Sequence, residues 1–280
     1  MSRLLNPEQI EKFQSDGCLK QKFRCMTSEQ AAQIFNWYED YEAETGQDVQ
    51  FQLKLKPHLV LVRLYELCRN PAILDAVEDV IGPDILCYAS TFFSKKSRDG
   101  TFVTWHQDGE YLGMEPRGWC IGISVGISAS NEQNGGLRGI PRSHLKDYKA
   151  VRTSDSKNLL THKSAIPDVD ESEMVRFNLE PGEFSMHNAN IVHSSEQNRS
   201  DGRRLTFTII YMPTRCRPSL GRRSALLVRG TDTYGHWDAD PVPRHDFDPV
   251  TLAHMKKCLA NFRNTRLDHK EDGLQASPRA

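Results

Sequence analysis

The stretch TFVTWHQDGEY, residues 101–111, ends a run of aromatic and β-branched residues with a histidine and an aspartate two positions apart, His106 and Asp108. Along an extended strand the side chains of residues i and i+2 leave the same face. The spacing therefore predicts an imidazole nitrogen and a carboxylate oxygen aimed into one space. The chain carries ten histidines, so such a pair arises readily by chance, and a polar pair on a strand is its plain meaning. A metal site needs a third donor. Residues 181–195, PGEFSMHNANIVHSS, supply two candidates on or between predicted strands, His187 and His193. Two imidazoles and one carboxylate on one face of an octahedron suit non-haem Fe(II), with three positions left for substrate and oxygen. Catalytic zinc held by two histidines and a glutamate usually takes both histidines from one helix. No residue here offers itself as the general base of a zinc hydrolase.

Arg204 lies eleven residues after His193 and opens the run LTFTIIY. Its planar fork takes a carboxylate bidentately and keeps its charge, which is what the far end of a dicarboxylate co-substrate requires. Its neighbour Arg203 reads as a solvated cation. The run NGGLRGIPRSH, residues 134–144, has the glycines of a sharp turn between strands and a second turn at Pro141–His144, and reads as a loop.

Elements must position these residues. Asn6–Pro7 and Asn70–Pro71 each open a helix, the second running to Ile81 before Gly82–Pro83, and Thr27 or Ser28 caps another. From Ile85 the texture turns to short strands at 85–93, 101–105, 119–127, 173–179, 183–186, 191–195 and 205–212, punctuated by glycine, proline and asparagine. Helices first and strands after predict an α+β chain with a sandwich or barrel, one domain over residues 1–265. Residues 145–172 read as a polar insertion or lid, and 266–280 as a disordered tail.

A formal net charge of −1 with 26% charged residues gives no basic footprint for nucleic acid. The opening MSRLLNPEQIEKF lacks the apolar core of a signal peptide, and no run approaches the roughly 18 apolar residues of a membrane span. The seven scattered cysteines form no C-x-x-C pair and read as reduced thiols, which makes the cytoplasm the default location.

WHQDG, then NGGLRGIPRSH, then PGEFSMHNANIVHSSEQNRSDGRR, in this order and at these separations, resemble the phytanoyl-CoA dioxygenase (PhyH) family over residues 5–245. The resemblance implies a double-stranded β-helix (jelly-roll, cupin-like) core with N-terminal helices packed on one sheet. It also implies an enzyme that uses Fe(II), 2-oxoglutarate and O2, with iron ligands His106, Asp108 and His193. The family pattern H-x-S, N-x-S, R falls on His193, Asn198–Ser200 and Arg204, which selects His193 over His187. Arg204 then binds the distal carboxylate of 2-oxoglutarate and Ser195 helps hold it. Lys95 and Trp119 match positions near the co-substrate. The sequence departs from the family at Pro141-Arg-Ser-His144, where the usual turn has glycine; this changes turn geometry and not chemistry. Asp108 occupies the position that related halogenases leave to Gly or Ala, so hydroxylation or desaturation is expected. The expected substrate is a small polar or anionic molecule, touched by Gln107, Tyr111, Trp105 or Arg215. The cationic run Arg215, Arg217, Arg222 and Arg223 suits an anion, although a solvated face is its commoner meaning. Two other readings share the fold: desaturation or cyclisation by the same cofactor, and a non-catalytic jelly-roll binding protein. The latter sits poorly with the intact His106, Asp108, His193 and Arg204.

Overall fold

In α1 (Pro7–Asp16) the Asn6 side chain accepts from the Gln9 amide at 2.8 Å, and the Gln9 side chain accepts from the Asn6 amide at 2.9 Å. This reciprocal cap satisfies donors that a helix start leaves free. After β1 (Phe23–Arg24), Thr27 and Gln30 cap α2 (Ser28–Thr45) in the same way. The short α3 (Val49–Gln52) and α4 (Val62–Cys68) lead to α5 (Pro71–Ile81), opened by Asn70 as its spacing predicts. The structure is a computed structural model that describes residues 3–153, 155–160 and 164–272, with 263–272 as backbone only.

The strands then follow: β2 (Ile85–Lys95), β3 (Val103–His106), the single turn α6 (Gly109–Leu112), β4 (Met114–Glu115), β5 (Ile121–Gly126) and β6 (Leu137–Ile140). Next come the ribbon β7 (Val151–Arg152) and β8 (Ser164–Ala165), then β9 (Val175–Arg176), β10 (Glu183–Asn188), β11 (Val192–Ser195) and β12 (Arg204–Pro213). The chain closes with β13 (Arg217–Pro218), β14 (Ser224–Arg229), β15 (Asp238–Ala239) and α7 (Pro249–Asp272). One sheet has seven strands in the order β1-β10-β5-β12-β2-β14-β15, and another has four in the order β3-β11-β6-β9. These non-sequential neighbours are the wiring of a jelly roll, with helices packed on the outer face of the larger sheet.

Alternation decides what each face of the larger sheet does. Ile121, Ile123 and Val125 of β5, Phe184 and Met186 of β10, and Leu205, Phe207, Ile209 and Tyr211 of β12 join α1–α5 in one apolar core. The residues between them face the inside of the roll, among them Ser124, His187, Arg204, Thr206 and Thr208. A bulge in the β2–β12 pairing sets Cys87 opposite Tyr211 and Ala89 opposite Ile210, so Tyr88 is left over and lines the interior.

Several sequence expectations change. Leu137–Ile140, read as loop, is a strand pairing with both β11 and β9. Arg142 takes a left-handed backbone (φ 65°), a conformation that glycine adopts without strain. Its backbone N–H donates to the Asp16 carbonyl at 2.8 Å and its guanidinium pairs with Glu173, contacts that hold the strained residue. The helix α7, not foreseen, runs past residue 265 through Asp272, while 273–280 lie outside the described residues. The 145–172 segment carries β7 and β8 and sends Leu159 and Leu160 to the cavity wall. No helix among the described residues is long and apolar enough to cross a membrane.

Candidate functional site

His106 ends β3 and stands directly opposite His193 on β11, with ring centroids 4.1 Å apart. Asp108 is not on the strand, as the i/i+2 argument assumed. It sits just beyond, at φ −62° and ψ −37°, where the chain turns into α6. From that turn its carboxylate still reaches the same space, with Oδ1 3.3 Å from His106 Nε2 and Oδ2 3.9 Å from His193 Nε2. One ligand-type atom from each of the three lies within 4.8 Å of the others.

The tautomers are set from behind. His106 Nδ1 lies 2.8 Å from the Thr104 carbonyl and His193 Nδ1 lies 3.0 Å from the Ile191 carbonyl. A carbonyl only accepts, so each Nδ1 carries the proton and each Nε2 turns a lone pair to the shared space. Burial, then the neighbouring His106, pushes the His193 imidazole down to about 3, which keeps it neutral. Burial works against the charge of Asp108, and any positive charge that His193 or His106 takes up pulls its carboxyl below the usual range. Two imidazole Nε2 atoms with their Nδ1 protons held by carbonyls, beside one carboxylate, are the donor set that suits a ferrous ion.

An anion subsite lies in the same cavity. It is lined by Phe93, Ser124, Leu137, Ser195, Thr206 and Thr208, together with the His106–Asp108–His193 group and Arg204. Arg204 is 3% exposed, its Nε lies 3.5 Å from Ser130 Oγ, and its Nη1 is buried with no hydrogen-bond partner. Directly opposite on β2, fully buried Lys95 donates to Ser195 Oγ at 2.7 Å and to the Glu196 carbonyl. Burial and then the nearby Arg204 pull the Lys95 ammonium down to about 6, and burial lowers Arg204 to about 10. A buried guanidinium with an unsatisfied donor, beside a lysine amine whose proton a nearby anion would favour, fits a bound carboxylate. Asn198 donates to the Lys95 carbonyl at 3.0 Å and to the Gly202 carbonyl at 2.8 Å, shaping the turn that delivers Arg204.

A second, more apolar cavity adjoins Asp108. Its walls include Leu55, Tyr88, Phe93, Leu112, Leu160 and Ile210, with Tyr111 beside Asp108 and Phe262 from α7. Of the residues expected to touch substrate, Tyr111 alone lines this cavity. Gln107 donates to the Asn190 carbonyl, and Trp105 donates to Glu171 at 3.0 Å with the Arg138 guanidinium 4.6 Å over its ring. Trp119, expected near the co-substrate, is 39% exposed and stacks under Arg215 at 4.1 Å; neither lines either cavity. Both belong to the short segments around β4 and β13, which pair outside the roll. Sequence reasoning passed over Thr206, Thr208 and Ser124, although their alternation with buried apolar residues is the signal that places them inside. Two other clusters of ligand-type residues occur among those described. His58, Cys68 and Cys87 are sealed in the core, and Asp240, near His254 and Cys258, is already committed to Lys56 at 2.5 Å.

The sequence profile of the phytanoyl-CoA dioxygenase (PhyH) family matches residues 2–206. A phytanoyl-CoA dioxygenase domain-containing protein 1 homolog from Caenorhabditis briggsae is 32% identical over 129 residues, covering 44% of this chain and 45% of that protein. An ectoine dioxygenase from Bordetella parapertussis is 23% identical over 168 residues, 55% of this chain and 54% of its own. The chain thus spans about half the length of the curated relatives it matches. Among solved structures, the apo form of the non-heme monooxygenase ThoJ superposes with a TM-score of 0.82 at 28% identity, covering 94% of this chain and 99% of its own. CytC3 with Fe(II) and alpha-ketoglutarate shares the fold, with a TM-score of 0.64 at 22% identity over 89% of this chain and 97% of its own.

Proposed function

The chain belongs to the phytanoyl-CoA dioxygenase family of Fe(II)- and 2-oxoglutarate-dependent oxygenases, and from that premise we propose that it hydroxylates an unactivated C–H bond of a small molecule. The observation that carries this reading is the convergence of His106, Asp108 and His193 in a cavity that the buried, unsatisfied Arg204 also lines. Fe(II) with 2-oxoglutarate and O2 supplies the oxidising power, the oxo acid leaving as succinate and CO2 while one oxygen atom enters the substrate.

In this reading His106, Asp108 and His193 hold the ion. The Thr104 and Ile191 carbonyls keep the two imidazoles in the tautomer that can bind it. Arg204 takes the C5 carboxylate of the co-substrate, and Ser195, held by Lys95, takes a share of it. The apolar walls around Asp108 exclude water and orient the C–H bond. Those walls support a refinement of the expected substrate: the part that reaches the metal is apolar. A neighbouring hollow shares Leu55, Tyr88 and Phe262 with the apolar cavity and carries Arg222, Arg223 and Lys257 against Asp238. The expected anionic character then belongs at the substrate's outer end. The seven unpaired cysteines support a reducing, cytoplasmic setting.

Titrating the Fe(II) protein with 2-oxoglutarate under anaerobic conditions is expected to raise a weak visible absorption band. Its absence in protein shown to bind Fe(II) would overturn the reading. Candidate substrates are then screened for stimulated succinate release. Product mass separates hydroxylation, a gain of one oxygen, from desaturation or ring closure, a loss of two hydrogens.

A further inference from the structure

His187 is the histidine that the family pattern passes over, and it has no role in the site as described so far. It sits on β10, 2% exposed, on the inner face of the roll, and lines the same cavity as Arg204 and the three ligand-type residues. Both of its ring nitrogens are buried without a hydrogen-bond partner. A buried polar atom left unpaired costs free energy that a packed interior seldom tolerates. An imidazole with two such atoms in a cavity is therefore a site awaiting a partner.

The neighbours say which partner. Its ring centroid lies 5.0 Å from that of His193, so whatever it touches also lies beside the three ligand-type residues, in a cavity that Arg204 and Ser195 line as well. The space for the ring is also provided by sequence. Gly122 of β5 stands directly across from His187, and a Cβ there would meet His187 Nε2 at 2.6 Å. In a strand whose alternate residues Ile121, Ile123 and Val125 fill the core, a glycine at this register keeps the inner face open for the imidazole.

Building on the proposed function, we propose that His187 is a co-substrate-binding residue, whose ring N–H donates a hydrogen bond to the metal-proximal carboxylate of 2-oxoglutarate. The oxo acid is then held at both ends, by a guanidinium at C5 and a ring N–H at C1.

The test uses full-length Fe(II) protein under anaerobic conditions, with two variants, His187→Phe and Gly122→Ala. The second keeps every polar group and only displaces the ring. Fe(II) affinity is expected to stay within about twofold of wild type in both, because the three ligand residues are untouched. The 2-oxoglutarate Kd, read from the visible band, is expected to rise about tenfold or more in both, as for loss of a hydrogen bond to a charged group. His187→Gln, which retains a donor, should recover part of the affinity. Unchanged Kd and band position in His187→Phe would overturn the inference and leave the proposed function standing. So would weaker 2-oxoglutarate binding matched by an equal loss of Fe(II) affinity, since that marks a packing role. No band in the Fe(II)-loaded wild type would overturn both together.

Discussion

At the site the imidazoles of His106 and His193 are fixed by backbone carbonyls, and substitution tests the charged side chains beside them. Asp108 supplies the sole carboxylate among the three ligand-type residues, and among the described residues no second acid lines the cavity to replace it. Asp108→Ala is expected to abolish substrate-dependent succinate formation, and full turnover in that variant would remove Asp108 from the ligand set. Arg204 makes a sharper case. Its guanidinium is buried with Nη1 unsatisfied and no ion pair among the described residues. Apolar replacement of a buried charge of this kind is often neutral or stabilising. Arg204→Met is therefore expected to leave the melting temperature of the ligand-free protein unchanged or raised. It should also lose the rise in melting temperature that 2-oxoglutarate gives the Fe(II) wild type, a shift that follows from ligand binding to the folded state alone. A variant that still shows the full ligand-induced shift would move the carboxylate anchor elsewhere.

Among the elements, α7 is fastened by charge. Lys56, 2% exposed, places Nζ 2.5 Å from Asp240 Oδ2, and His254 of α7 reaches Asp240 Oδ1 at 2.9 Å. Burial opposes the charge on Asp240, but Lys56 prevails and brings the carboxyl down to about 2. Removing one member of such a pair strands the other. Asp240→Asn is expected to lose about 3–5 kcal/mol in urea unfolding, and the double change Lys56→Met with Asp240→Leu to regain most of it. A loss in the single variant below about 1 kcal/mol would show that Lys56 finds another partner. Because α7 contributes Phe262 to the apolar cavity, the same variant should alter substrate affinity more than 2-oxoglutarate affinity.

Across the whole molecule, buried neutral imidazoles set the response to acid. Burial, as the first cause, lowers His58 and His193 to about 3 and His187 to about 4, from an ordinary value of 6.5. Between those values and 6.5 the unfolded chain binds protons that the folded chain refuses. The stability these groups contribute is complete above pH 6.5 and is lost as pH falls toward 3–4. The urea midpoint of the metal-free protein is expected to drop steadily from pH 7.5 to 5, and a flat or rising midpoint would contradict the burial of these rings.

The sequence by itself determined whatever depends on local periodicity and residue type. The Asn-Pro helix starts and the alternation of LTFTIIY follow from neighbours within a few positions, whereas the choice of His193 over His187 rested on the resemblance to a family pattern. The strand at Leu137–Ile140 was hidden because two of its neighbours are glycines that also suit a turn, and only pairing with β11 and β9 decides between the two. Only the tertiary structure decided that Asp108 reaches the space shared with His106 and His193 from a turn, and that Trp119 and Arg215 stack outside the roll. The same holds for the two unsatisfied nitrogens of His187, which face inward over Gly122. Such facts depend on which strands become neighbours, and sheet order is set by long-range pairing that no short window of sequence contains.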